Sequence, residues 1–187
     1  MPHRFTRRTV VKHGLGLAVA LGLAPAAALA QDNAAAIRPK EGDLLIRVDD
    51  RALTPLTPDD VQAGAAQLMA WAMDPMDKTV RSGSRLNRVL LVRFDESALK
   101  PETKTRAAAG VVAYTAICTH TGCDVTDWLP DGLLYCPCHF TKYDPRDGAA
   151  VIDGPAPRPL PALPLKIVDG KLAVAGPFTA RVAFQQE

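Results

Sequence analysis

Apolar residues in this chain fall in short runs set between polar, proline- and glycine-bearing stretches, the pattern of a strand-rich body. Positions 44–48 alternate well enough for a strand. Positions 88–94 and 111–117 are longer apolar, β-prone runs, and 133–135 reads as a short strand. Positions 164–168 and 171–175 flank Asp169-Gly170, a pair that predicts a tight hairpin turn. Thr57-Pro58-Asp59-Asp60 supplies a cap residue, a proline at the first helical position and acids in the first turn, which predicts a helix over about 57–71. Leu68, Trp71 and Ala72 would share its packed face. Positions 100–106 read as a charged loop or short helix, and 34–40 as a flexible lead-in. No internal repeat is present.

The first thirty residues stand apart. Thr6-Arg7-Arg8-Thr9-Val10-Val11-Lys12 resembles a twin-arginine export consensus, an apolar run follows over 14–24, and Ala28-Leu29-Ala30 offers a small-x-small cleavage site before Gln31. The apolar run is rich in Ala and Gly and stops at Pro25, short of the roughly 20 apolar residues of a spanning helix. The reading is therefore a leader over 1–30 and one domain over 31–187, located in the periplasm. A leader retained as an inner-membrane anchor is the alternative, and only then would the protein contact the membrane.

Composition sharpens this picture in two ways. The formal charge of +2 depends on Arg4, Arg7, Arg8 and Lys12, all in the leader, which holds no acid. Without those four, 18 of the 22 basic residues face all 20 acidic ones, so the mature domain is slightly acidic and carries no nucleic-acid footprint. Sixteen prolines and 5% aromatic residues fit a loop-rich body better than a helical bundle.

All four cysteines lie between positions 118 and 138, and the two histidines beyond the leader, His120 and His139, lie in the same stretch. Cys118-Thr119-His120-Thr121-Gly122-Cys123 makes one box and Cys136-Pro137-Cys138-His139 the other, with fifteen residues between His120 and Cys136. A tetrahedral zinc site is one reading of such residues. However, zinc knuckles space their cysteines by two to four residues in both halves, and six candidates exceed four ligands.

These two boxes resemble those of the Rieske iron–sulfur proteins, in the subtype with an extra cysteine in each loop. The resemblance is strongest over about 112–160. It implies an all-β fold, an antiparallel β-sandwich with a small cluster-binding subdomain inserted at about 113–159. It also implies one [2Fe–2S] cluster, with Cys118 and Cys136 on one iron and His120 and His139 on the other. Replacing two thiolates by neutral imidazoles leaves the cluster less negative and raises its potential to roughly −150 to +300 mV. By the same resemblance Cys123 and Cys138 form a disulfide clamping the loops, which export into an oxidising compartment supports. Thr141 would bond a cluster sulfide, and Tyr143 the sulfur of a ligand cysteine. Gly154 and Pro155 would open a proline loop, Gly154-Pro155-Ala156-Pro157, that covers the cluster.

The resemblance implies an electron-transfer protein whose partner is a catalytic oxidoreductase subunit or a redox protein such as a cytochrome c. No catalytic site of its own is evident. The small subunit of arsenite oxidase is one family example, with a leader of this kind and often a Phe where Phe140 stands, although Tyr143 departs from it. The Rieske subunit of quinol–cytochrome c reductase is the other. It usually carries Leu at the place of Thr121 and Gly-Ser at the place of Phe140-Thr141. A cluster-bearing sensor or assembly module is a third class. A cytosolic Rieske ferredoxin or oxygenase subunit fits less well, because the leader and the extra cysteines argue against it.

Overall fold

The computed structural model describes residues 34–184. The leader reading falls outside them. Among the described residues ten strands form two sheets whose paired strands all run antiparallel. The larger sheet holds β1 (Leu44–Arg47), β2 (Leu68–Met73), β3 (Val89–Arg93), β4 (Val111–Thr115), β9 (Leu165–Val168) and β10 (Lys171–Val174), in the order β4-β3-β2-β1-β10-β9. The smaller sheet comprises β5 (Asp127–Trp128), β6 (Leu134–Cys136), β7 (Thr141–Asp144) and β8 (Ala150–Asp153), in sequence order. The described residues are thus mostly β, with a helical end at 34–36, a short helix, α1 (Pro101–Lys104), and a few 3-10 turns.

The larger sheet curls almost closed. Thr115 N–H donates to Pro161 C=O and Leu163 N–H to Ala113 C=O, so the chain leading into β9 runs along the free edge of β4. Curling buries both faces of β3. Val89 and Leu91 point into a core shared with Leu45, Ala70, Val111, Leu163 and Leu172. Leu90 and Val92 point the other way, into a core shared with Tyr114, Val125, Leu134, Tyr143 and Leu160. This second core joins the two sheets, which explains why 88–94 is a near-continuous apolar run rather than an alternating one.

The predicted helix over 57–71 is corrected. Thr57 and Asp60 do make a reciprocal cap, but it starts only a 3-10 turn, Pro58–Asp60. Leu68, Trp71 and Ala72 then lie on β2, between β1 and β3, with Trp71 opposite Ile46. Tertiary pairing in the middle of a sheet overrides the local start signal. The lead-in is corrected as well. Buried Arg81 donates to Ala34 C=O, Gly83 N–H to Ala35 C=O, and the Asn87 amide to Ile37 C=O. Arg81 is itself held by Asp43 at 3.1 Å and Asp74 at 2.9 Å. Residues 34–37 are therefore docked on the fold, not loose.

Candidate metal centre

The first ligand box sits on the connection from the larger sheet to the smaller one, and the second on the β6–β7 connection of the smaller sheet. Cys118 follows β4 after two residues, and its loop is a tight turn: Gly122 N–H donates to Cys118 C=O, and Cys118 N–H to Cys123 C=O. Cys136 ends β6, and Pro137-Cys138-His139-Phe140 turns the chain into β7. Phe140 closes that turn at φ +63°, a left-handed conformation that non-glycine residues adopt at a cost.

The structure brings together all six predicted box residues. Cys123 and Cys138 are disulfide-bonded, with Cα atoms 6.4 Å apart, and the bond staples one loop to the other. Cys118 and Cys136 are the free cysteines, and both thiols are buried. The rings of His120 and His139 lie 4.6 Å apart, nearly perpendicular. The Sγ atoms of Cys123 and Cys138 also lie within 4.8 Å of a His139 nitrogen. Sulfurs bonded to each other offer no thiolate, so that trio is not a ligand set.

Side chains without partners mark the space between the loops. His120 Nδ1 and Thr141 Oγ1 are buried and have no hydrogen-bond partner among the described residues. A native protein rarely leaves such groups unpaired, unless another group meets them. Burial, the neighbouring Cys118 and its hydrogen bond push the Cys136 thiol up to about 11, against the pull of the Cys138 and His139 backbone N–H groups. Two buried thiols facing each other, with amides aimed at one sulfur and a pair of imidazoles carried by the same two loops, fit a cationic, thiophilic group. This donor set suits a [2Fe–2S] cluster. Cys118 and Cys136 would supply the thiolates, and His120 and His139 the imidazoles.

The surrounding groups fit as well. The Tyr143 hydroxyl lies 3.2 Å from Cys118 Sγ, and its oxygen receives the Thr119 N–H at 3.4 Å. Burial and the Cys118 contact hold Tyr143 above the ordinary tyrosine range, so it stays a donor. Gly154, at φ +96°, packs so closely on β7 that a Cβ there would meet Thr141 Cα at 2.5 Å and Thr141 Oγ1 at 2.9 Å. The proline loop closes over Thr141 only because Gly154 has no side chain. Pro155 beside it is exposed, and Ala156 turns into the core.

Sequence reasoning missed three positions. Thr119 is fully buried and bonds both Tyr143 and the Arg158 carbonyl. Arg85 donates to Gly122 C=O at 2.8 Å and pairs with Asp124. Arg158 binds the Arg181 and Ala183 carbonyls of the C-terminal segment. A polar residue wedged between two ligands of a tight loop was a signal for Thr119, but Arg85 is remote in sequence and carried none.

Comparison with known proteins gives the family. The family model for the Rieske [2Fe-2S] domain matches residues 76–164. A protein of Streptomyces lividans, the Rieske iron-sulfur subunit of a cytochrome bc1 complex, is 31% identical over 142 residues, covering 74% of this chain and 82% of that relative. The chain belongs to the Rieske family. A Haloferax mediterranei protein, named as the Rieske subunit of a respiratory nitrate reductase, is 46% identical over 104 residues. That match covers 54% of this Rieske protein but only 47% of the relative's own length. Among solved structures, the soluble domain of Rieske protein II from Sulfolobus acidocaldarius aligns with a TM-score of 0.44 at 22% identity, covering 73% of this chain and 86% of that one. The domain of this family binds one [2Fe–2S] cluster, a one-electron centre, and this chain is an electron-transfer protein.

Proposed function

We propose that this Rieske protein is a periplasmic one-electron carrier that serves as the small subunit, or the soluble partner, of an oxidoreductase complex. The observation that carries this reading is the asymmetry of the centre. Cys118 and Cys136 are sealed at 2% and 1% exposure, whereas His139 is exposed and Phe140 beside it is 67% exposed. Electrons would pass through that imidazole edge into a partner pressed against the tip. Tyr135 supports Phe140 from behind, with ring centroids 6.5 Å apart and planes inclined by 30°. A rigid apolar anchor of this kind suits protein docking. The partner would be a catalytic subunit or a redox protein such as a cytochrome c. The twin-arginine-like leader in the sequence supports a periplasmic location.

A second reading, the quinol-oxidising subunit of a cytochrome bc1-type complex, is favoured by the likeness to the Streptomyces lividans subunit along 82% of its length. Thr121 and Phe140-Thr141 weigh against it, because the tip residues usual in that subunit are replaced.

The two are separated by fractionation and affinity purification from native cells. The carrier reading expects a mature chain starting at Gln31, soluble in the periplasmic extract, co-purifying with a catalytic subunit and transferring electrons to it. A chain retaining its leader in the membrane fraction, together with a b-type cytochrome, would overturn that reading and establish the second.

A further inference from the structure

The last described residues return to the ligand loops. Val182 and Ala183 are buried, and they pack with Leu86 and with Ile117, the residue just before Cys118. Phe184 lies over Gly122 in the same loop: a Cβ on Gly122 would stand 3.4 Å from its ring, and Gly122 itself is at φ +82°. Thr179 N–H donates to Ala162 C=O, which marks where the segment leaves the sheet.

One side chain ties this segment down. Arg158, in the proline loop, donates through Nη2 to Arg181 C=O at 2.7 Å and to Ala183 C=O at 2.5 Å. The Arg158 carbonyl in turn accepts the Thr119 hydroxyl at 2.6 Å. Arg158 thus links three pieces of chain: the proline loop that carries it, the first ligand loop through its backbone, and the C-terminal segment through its guanidinium. Charged donors make such bonds stronger than neutral ones. The segment they hold is strained, since Ala183 sits at φ +68°, in the left-handed region.

We propose that residues 179–184 form a strap across the first ligand loop, latched by Arg158, and that its release loosens the Cys118–Cys123 turn and opens the buried Cys118 side of that loop to solvent. Arg158 is a positioning residue, acting through Phe184 and Val182 on the loop that carries Cys118 and His120. The strain at Ala183 makes the strap ready to open once the guanidinium is removed. Opening needs no change in either sheet, because the carbonyl bond from Thr119 belongs to the Arg158 backbone and survives loss of the side chain.

The proposal rests on the Rieske assignment only for the release of iron, so its test has an arm in metal-free protein. Amide hydrogen exchange is followed in Arg158→Ala, Arg158→Lys, Ala183→Gly and Phe184→Ala, with iron release to a chelator followed in the loaded forms. In Arg158→Ala, exchange should rise about tenfold or more at 117–123 and 179–184 together, with β1–β3 unchanged. Iron release should accelerate in parallel. Lys, which can still reach a carbonyl, should restore part of the protection. Ala183→Gly, which removes the strain, should slow opening below wild type. Phe184→Ala should expose 117–123 while Arg158 still holds 181–183, and it decides the matter if Arg158→Ala does not fold. Faster exchange at 179–184 with no change at 117–123 in these variants would overturn the strap, whatever the fate of the cluster.

Discussion

The hydroxyl of Tyr143 on β7 lies 3.2 Å from the sulfur of Cys118 in the first ligand loop. With Cys118 as a cluster ligand its thiolate would have no proton, so Tyr143 would be the donor, and Thr119 N–H, at 3.4 Å from the same oxygen, would polarise it. A hydrogen bond to a ligand sulfur stabilises the electron-rich reduced state more than the oxidised one. Tyr143→Phe should therefore lower the reduction potential, by about 40 mV if the bond differs by roughly 1 kcal/mol between redox states. Protein-film voltammetry on wild type and variant would measure it. An unchanged potential would remove Tyr143 from the tuning of the centre.

The Cys123–Cys138 disulfide closes a loop of fifteen residues in sequence separation, for which the chain-entropy term is about 3 kcal/mol. Cys123→Ser and Cys138→Ser should shorten the lifetime of the cluster equally, and the double variant should be no worse than either. Loss of visible absorbance in the presence of chelator reports this. Unequal damage would mean that one cysteine has a role beyond the bond.

Gly154→Ala should be among the most damaging single-methyl additions in the protein. The new Cβ would meet Thr141 Cα at 2.5 Å, against the backbone of β7, and the residue would be held at φ +96°. Backbone strain plus overpacking predicts a loss of about 2–4 kcal/mol, read as a lower urea midpoint. The proline loop should also lift from Thr141, so cluster loss should accelerate. Gly170→Ala, at a hairpin position with open space around it, should cost less.

Stability should fall at alkaline pH in a way two tyrosines explain. Burial holds both Tyr114 and Tyr143 above the ordinary value of 10.0. The folded state then keeps its phenol protons at a pH where the unfolded chain has lost them. Their contribution is fully present below about pH 10 and is lost as pH rises toward the raised folded-state values. Chemical denaturation should give a flat profile from neutral pH to about 9.5 and a decline above it. Tyr114→Phe, which loses the 2.7 Å bond to Pro145 C=O, should be about 1 kcal/mol less stable at neutral pH but decline less steeply.

Much of the fold was legible in the sequence, and the reasons are local. β3 and β4 are buried on both faces or nearly so, hence their unbroken apolar runs, and Asp169-Gly170 marks the β9–β10 hairpin with both residues at positive φ. β2 was misread because Thr57 and Pro58 are a genuine start signal, spent on a single turn, and because Leu68–Met73 is apolar throughout and has no period of its own. β5, β7 and β8 were missed because two to four residues beside ligand loops cannot show alternation. The six box residues were legible because cysteine and histidine are rare in this chain and fall together. Thr119, Arg85 and Arg158 were not, since their role depends on carbonyls of residues up to 39 positions away or in other loops.

Cys118, Cys136, His120 and His139 are the four residues that would hold the one [2Fe–2S] cluster. Iron and acid-labile sulfide, quantified on the purified chain together with the electron paramagnetic resonance spectrum of its reduced form, test that assignment most directly. The account predicts about two irons and two labile sulfides per chain, the low average g value of a mixed cysteine–histidine cluster, and loss of that signal in His120→Ala or His139→Ala. Zinc bound in place of iron, with no labile sulfide, would contradict it.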